Sequence, residues 1–137
     1  FSNIAASETT HTVSVKALVD RYQLAGPLAS LPLGTFKTPA FQTLYADLVA
    51  ASSVSLVEAL KVGVQIEELD IRDLAVRMLT IDNADILLVY DNLLRGSRNH
   101  LRASTKTLVQ QGGRYTPQYI SQAEFDAIVN SPMETGR

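Results

Sequence analysis

The chain has 137 residues, of which 46% are hydrophobic and 19% charged, and its formal net charge is -2. That length and composition exclude a disordered chain and suffice for one domain with a real core, while the lack of a basic block argues against nucleic acid as a partner. There is no cysteine, which removes thiolate metal sites, iron–sulfur clusters, cysteine catalysis and disulfides together, and no apolar run approaches the ~20 residues of a membrane span.

The chain opens at Phe1, without Met, directly into a helix. A processed or truncated precursor is the expectation, and a signal peptide is one segment that fits upstream. The first helix is predicted from Asn3 to Tyr22, capped by Ser2 or Asn3 and ending before Gly26-Pro27. Ile4, Glu8, His11, Val15, Leu18 and Tyr22 fall on one face at helical spacing. Val15, Leu18 and Tyr22 mark that face as buried, so Glu8 and His11, a Glu-x-x-His pair, point into the interior. Burying unpaired charge is costly, and a metal ion satisfies both residues at once.

A loop follows, broken by Pro27, Pro32 and Gly34. Its Leu28, Leu31, Leu33 and Phe36 are apolar enough to pack down. Thr38-Pro39 predicts a helix start, with a capping hydroxyl and then Pro at the first helical position. Phe41, Leu44, Tyr45 and Leu48 form the expected buried face of this short helix, which ends near Ala51.

Ser55-x-x-Glu58 reads as a capping box that opens a long helix to about Leu79. Its stripe is Leu60, Val64, Glu67, Ile71, Leu74 and Met78, with Glu67 at the centre. Glu68 and Arg72 fall on another, solvated face, and Asp70 beside the stripe reads as solvated too. Asp82 is the expected cap of the next helix, with Asp85 in its first turn, and Gly112-Gly113 stops it after about Gln111. Ile86, Tyr90, Leu93, Ser97, His100 and Ser104 share its inner face. His100 is therefore the second inward histidine of a chain that has two. Arg95, Arg98 and Arg102 are placed mostly outside, facing solvent or paired with Asp91 or other acids. Gly63 and Gly96 cost helix propensity and are read as points of close helix approach.

Tyr115-Thr116-Pro117 is extended. Ser121-x-x-Glu124 is a second capping box, opening a short helix with Phe125, Ile128 and Val129 inward, ended by Ser131-Pro132. No strand alternation and no fixed repeat occur, so the chain is predicted to be an all-α bundle of three long and two short helices, one domain over 1–137 with a tail from 114.

Glu8, His11, Glu67 and His100 are thus the candidate metal ligands. Two histidines and two carboxylates suit iron, manganese or zinc. The alternative is a buried hydrogen-bonded network without metal.

These blocks carry a resemblance. Asn3 to His11 (NIAASETTH) resembles the second core helix of a ferritin-like prokaryotic family catalogued as a domain of unknown function. Ile66 to Ile71 (IEELDI) resembles its third, Asn92 to Arg102 (NLLRGSRNHLR) its fourth, and Tyr115 to Glu124 its tail. The resemblance implies a ferritin-like fold related to rubrerythrins and ferritins, with the family's Glu-rich first core helix missing upstream of Phe1. It implies Glu8, His11, Glu67 and His100 as metal residues. Ser97 stands where the rubrerythrin pattern has a carboxylate, so a symmetric di-iron site is not implied. Two functions stay open: iron or manganese oxidation or peroxide-related chemistry at this site, or a non-catalytic structural module with a vestigial site. With one core helix missing, a homo-oligomer or a retained upstream helix is the expected partner. The compartment stays open between secreted or periplasmic and cytoplasmic.

Overall fold

The computed structural model describes residues 2–25 and 31–136. Five α-helices follow in order: α1 Ser2–Arg21, α2 Pro39–Ser52, α3 Leu56–Met78, α4 Ala84–Gln110 and α5 Gln122–Val129. No strand occurs among the described residues, as the sequence predicts. No helix among them is long and apolar enough to cross a membrane.

The 79–83 connection turns the chain back, so α4 packs along α3 as the central pair. The other helices attach to this pair: α2 to α3, and α5 and α1 to α4. The core between them is Leu60, Val64 and Ile71 of α3, Leu101 and Leu108 of α4, and Phe125 and Ile128 of α5. Fully burying each such side chain stabilises by roughly 1.5–3 kcal/mol.

Both capping boxes form. Ser55 Oγ accepts from the Glu58 amide at 3.1 Å, and Ser121 Oγ accepts from the Glu124 amide at 3.2 Å. Two other expected caps do not. The Thr38 side chain makes no cap hydrogen bond; its carbonyl instead accepts from the Phe41 and Gln42 amides. Pro39 has no amide hydrogen to satisfy, which lowers the demand for a side-chain cap. The cap of α4 is Asn83 rather than Asp82, and Asp85 in the first turn accepts from the Ile86 amide at 3.0 Å. At the far end, Gly112 adopts φ +76° and the Gly113 amide bonds back to the Leu108 carbonyl at 2.9 Å. That left-handed step is the reason a glycine ends this helix.

The expected burial of the loop and of α2 is corrected. Leu33 is fully exposed, and Leu31 and Phe36 are exposed; Leu28 lies outside the described residues. No residue of α2 is buried: Phe41 and Tyr45 are exposed and Leu44 and Leu48 are half-buried. They form the apolar wall of an open cleft, which helical spacing cannot tell apart from a closed core. Val15 and Tyr22 of the first helical stripe are likewise exposed, and none of the described side chains of α1 is fully buried. Tyr22, just past α1, ties that end to α4 by donating to both Asp85 oxygens at 2.8 and 2.9 Å.

Two charged residues expected at the surface are inside. Glu68 is 0% exposed and anchors the segment before α5. Its Oε1 accepts from the amides of Gln118, Tyr119 and Ile120 at 2.7, 2.6 and 2.9 Å, and its Oε2 accepts from Tyr115 Oη at 2.5 Å. Burial, then the Glu68 carboxylate, pushes the Tyr115 hydroxyl pKa well up. Arg102 is buried beneath the chain that leaves α5. It donates to the Ile128 carbonyl, to Asn99 Oδ1, to Ser131 Oγ and to Glu134 Oε1. Arg98 also grips Glu134, through Nε at 2.7 Å and Nη2 at 2.5 Å. Arg98, then Arg102, hold the Glu134 pKa down at about 2. The acid that pairs these arginines is thus Glu134, brought in by the tail.

Candidate functional site

Three helices bring the inward ionisable residues together. Glu8 comes from the first half of α1, Glu67 from the middle of α3 and His100 from α4. One donor atom from each lies within 4.8 Å of those of the other two. His100 Nδ1 is 3.0 Å from Glu8 Oε1 and 3.3 Å from Glu67 Oε1. His11 sits one step out, on the other Glu8 oxygen: its Nδ1 is 3.0 Å from Glu8 Oε2. The two imidazole rings lie side by side, 5.6 Å apart between centroids. All four candidate residues from the sequence therefore belong to one cluster, with Glu8 at its hinge.

The polar atoms at the centre pair by charge but not by regular hydrogen bonds. Glu8 Oε1, Glu67 Oε2 and His100 Nδ1 are buried and have no hydrogen-bond partner. The His100 contacts have the distance of ion pairs but not the angles of hydrogen bonds. A buried polar atom without a hydrogen bond costs about 1–3 kcal/mol, and the ion-pair contacts of His100 with Glu8 and Glu67 offset part of that cost here.

The electrostatics record the same crowding. Burial pushes the Glu67 carboxyl pKa up, against the neighbouring His100. The Glu67 carboxylate, then Glu8, hold the His100 imidazole pKa up at about 9. Glu8 is lowered, chiefly by His100. Asp70, one turn along α3, is pushed up to about 7 by burial and then by the Glu67 and Glu8 charges. It is half-buried rather than solvated. A signal for it was present: Glu67-x-x-Asp70 puts both carboxylates on neighbouring turns of one face.

The cluster opens into a cleft of about 540 Å³. Its walls include Val15 of α1, Phe41, Tyr45 and Leu48 of α2, Leu69 and Asp70 of α3, and Tyr90 and Ser97 of α4. The apolar face of α2 thus screens the ionisable cluster from one side. Ser97 is buried in this wall and offers only a hydroxyl.

A model of the family described as "Uncharacterized protein domain (DUF2202)" matches residues 1–132. The chain belongs to this family. This DUF2202 chain is 47% identical over 136 residues to "Uncharacterized protein MJ0754" of Methanocaldococcus jannaschii, across 99% of this chain and 74% of that protein. It is also similar to a solved structure, "Crystal structure of hypothetical protein MJ0754 from Methanococcus jannaschii DSM 2661". The TM-score is 0.95 at 47% identity, over 98% of this chain and 77% of that one.

Proposed function

We propose that this DUF2202 protein is a ferritin-like metal-binding protein whose centre is Glu8, His11, Glu67 and His100. The observation that supports the reading is the convergence of Glu8, Glu67 and His100 from three helices, one ligand atom of each within 4.8 Å of the others. The donor set fits the group. Glu8, Glu67 and His100 would hold the ion, and His11 would act beside them on the other Glu8 oxygen. Nitrogen and carboxylate oxygen without sulfur select iron, manganese or zinc. Iron or manganese bound there would supply redox chemistry toward dioxygen or peroxide. Beside it, Asp70 would place a further half-buried carboxyl at the cleft wall, one turn along α3 from Glu67.

Elemental analysis of protein purified without chelators and reconstituted with iron, manganese and zinc in turn tests the reading. At least one ion per chain is expected in the parent, and less in His11→Ala. Well below one ion per chain with all three metals would favour the metal-free network, for which the Glu8–His11 hydrogen bond speaks.

The ferritin-like bundle is part of the same proposal. In support, α1, α3 and α4 each present a carboxylate or histidine to a common interior. Val15 remains exposed on α1, and Phe41, Tyr45 and Ile66 across the cleft. A further helix, from an upstream segment or a second copy, covers that surface in this reading, since exposed apolar patches of such extent mark interaction sites. Light scattering of the 137-residue chain is expected to show an oligomer with a concentration-dependent melting transition. A monodisperse monomer that melts cooperatively at one temperature at all concentrations contradicts it.

A further inference from the structure

We propose that Gly96 is the positioning residue for His11, and that its missing side chain lets the ring hold Glu8, and through Glu8 the metal site, in place. The inference rests on the metal reading above. Gly96 lies in the middle of α4, where a glycine weakens the helix and so needs another reason. The reason is the His11 ring. A Cβ at position 96 would fall 2.5 Å from His11 Nε2 and 2.8 Å from Cε1, well inside the 3.5–4.0 Å of ordinary contact.

The ring has no cheap way to yield. Its Nδ1 is held by Glu8 Oε2 at 3.0 Å, and its face lies beside His100. Any side chain at 96 pushes the Nε2 edge away from α4 and rotates Nδ1 off Glu8. Glu8 then loses the contact that fixes its second oxygen, while its first remains beside His100. Gly96 acts on the ion only through His11. Such supporting contacts typically govern metal affinity by 10–100-fold.

The test uses the parent, Gly96→Ala, His11→Ala and the double variant. Manganese is titrated by equilibrium dialysis, and the imidazole nitrogens are observed by NMR in metal-free protein. The chain has two histidines, so His11→Ala assigns both rings. Gly96→Ala is expected to shift the His11 nitrogen signals and to weaken manganese binding at least tenfold. It lowers the melting temperature, because the overlap with the ring outweighs the better helix propensity of alanine, and the double variant, without the ring, recovers it. In the His11→Ala background the same substitution leaves manganese binding unchanged, which a merely structural role would not produce. Parent-like manganese binding and parent-like His11 signals in Gly96→Ala overturn the inference. So does an equal loss of affinity with and without His11. A parent that binds no manganese, iron or zinc overturns the underlying metal reading instead, and the two failures are told apart by the parent alone.

Discussion

Glu68→Ala is expected to destabilise the protein by about 4 kcal/mol or more, from loss of one acceptor for four donors. The carboxylate is 0% exposed and receives three consecutive amides and the Tyr115 hydroxyl. Removing it strands those donors inside, each at about 1–3 kcal/mol where water does not replace the acceptor. The sum is comparable with the 5–15 kcal/mol net stability of a typical domain. The consequence reaches beyond α3, because the amides of 118–120 lead directly into α5, which supplies Phe125 and Ile128 to the core. Two variants grade the effect. Glu68→Gln keeps an oxygen for the amides but turns its NH₂ toward Tyr115, and is expected to cost about half as much. Tyr115→Phe removes one charge-assisted bond and is expected to cost about 1.5–3 kcal/mol. Urea unfolding of the three variants checks the order; a Glu68→Ala loss below about 1 kcal/mol would show that this anchor contributes little.

The second large effect concerns the metal. Manganese at a hundredfold excess over its Kd is expected to stabilise the folded chain by about 2.7 kcal/mol, which raises Tm by roughly 10 °C for a domain of this size. The gain depends on pH with a definite sign. In the metal-free protein the His100 pKa lies at about 9, above its ordinary 6.5, and Glu67 is also raised. Both contribute stability that is fully present below their unfolded values and fades as pH rises through the folded ones. For His100 the window is 6.5 to about 9, and the metal-free protein loses about 2 kcal/mol across it. A metal needs the same groups deprotonated, so the stabilisation by manganese grows over that window as the metal-free stability falls. His100→Ala removes the manganese trend and the His100 share of the metal-free one. Melting curves at pH 6, 7.5 and 9, with and without manganese, check this; a manganese effect that is flat with pH would remove His100 from the proposed ligand set.

The helices, and the inner faces of α3 and α4, were legible because periodicity and capping are local. Ser55 and Ser121 cap as read, and Leu60, Val64, Glu67 and Ile71 are buried as their stripe requires. The meeting of Glu8, Glu67 and His100 was legible for the same reason: each sits on the inner face of a helix. Glu68 and Arg102 were not, because what buries them comes from far along the chain. The 115–120 segment covers Glu68, and the chain at 128–134 covers Arg102. Glu68 does continue the spacing of Leu60 and Val64 by four residues, a signal that its charge outweighed. The open wall formed by α2 was illegible in a different way. Phe41, Leu44, Tyr45 and Leu48 have the spacing of a core face, and spacing carries no information on whether anything lies opposite. Gly96 was read correctly as a point of close approach, but its partner, the His11 ring, required the structure.

The central claim is that the converging donors hold an ion, and anomalous diffraction from crystals soaked in manganese tests it most directly. The proposal predicts a peak within about 2.5 Å of Glu8 Oε1, a Glu67 oxygen and His100 Nδ1, absent from crystals of His100→Ala. No peak at the cluster, with Glu8, Glu67 and His100 instead joined by direct hydrogen bonds or ordered water, would contradict it.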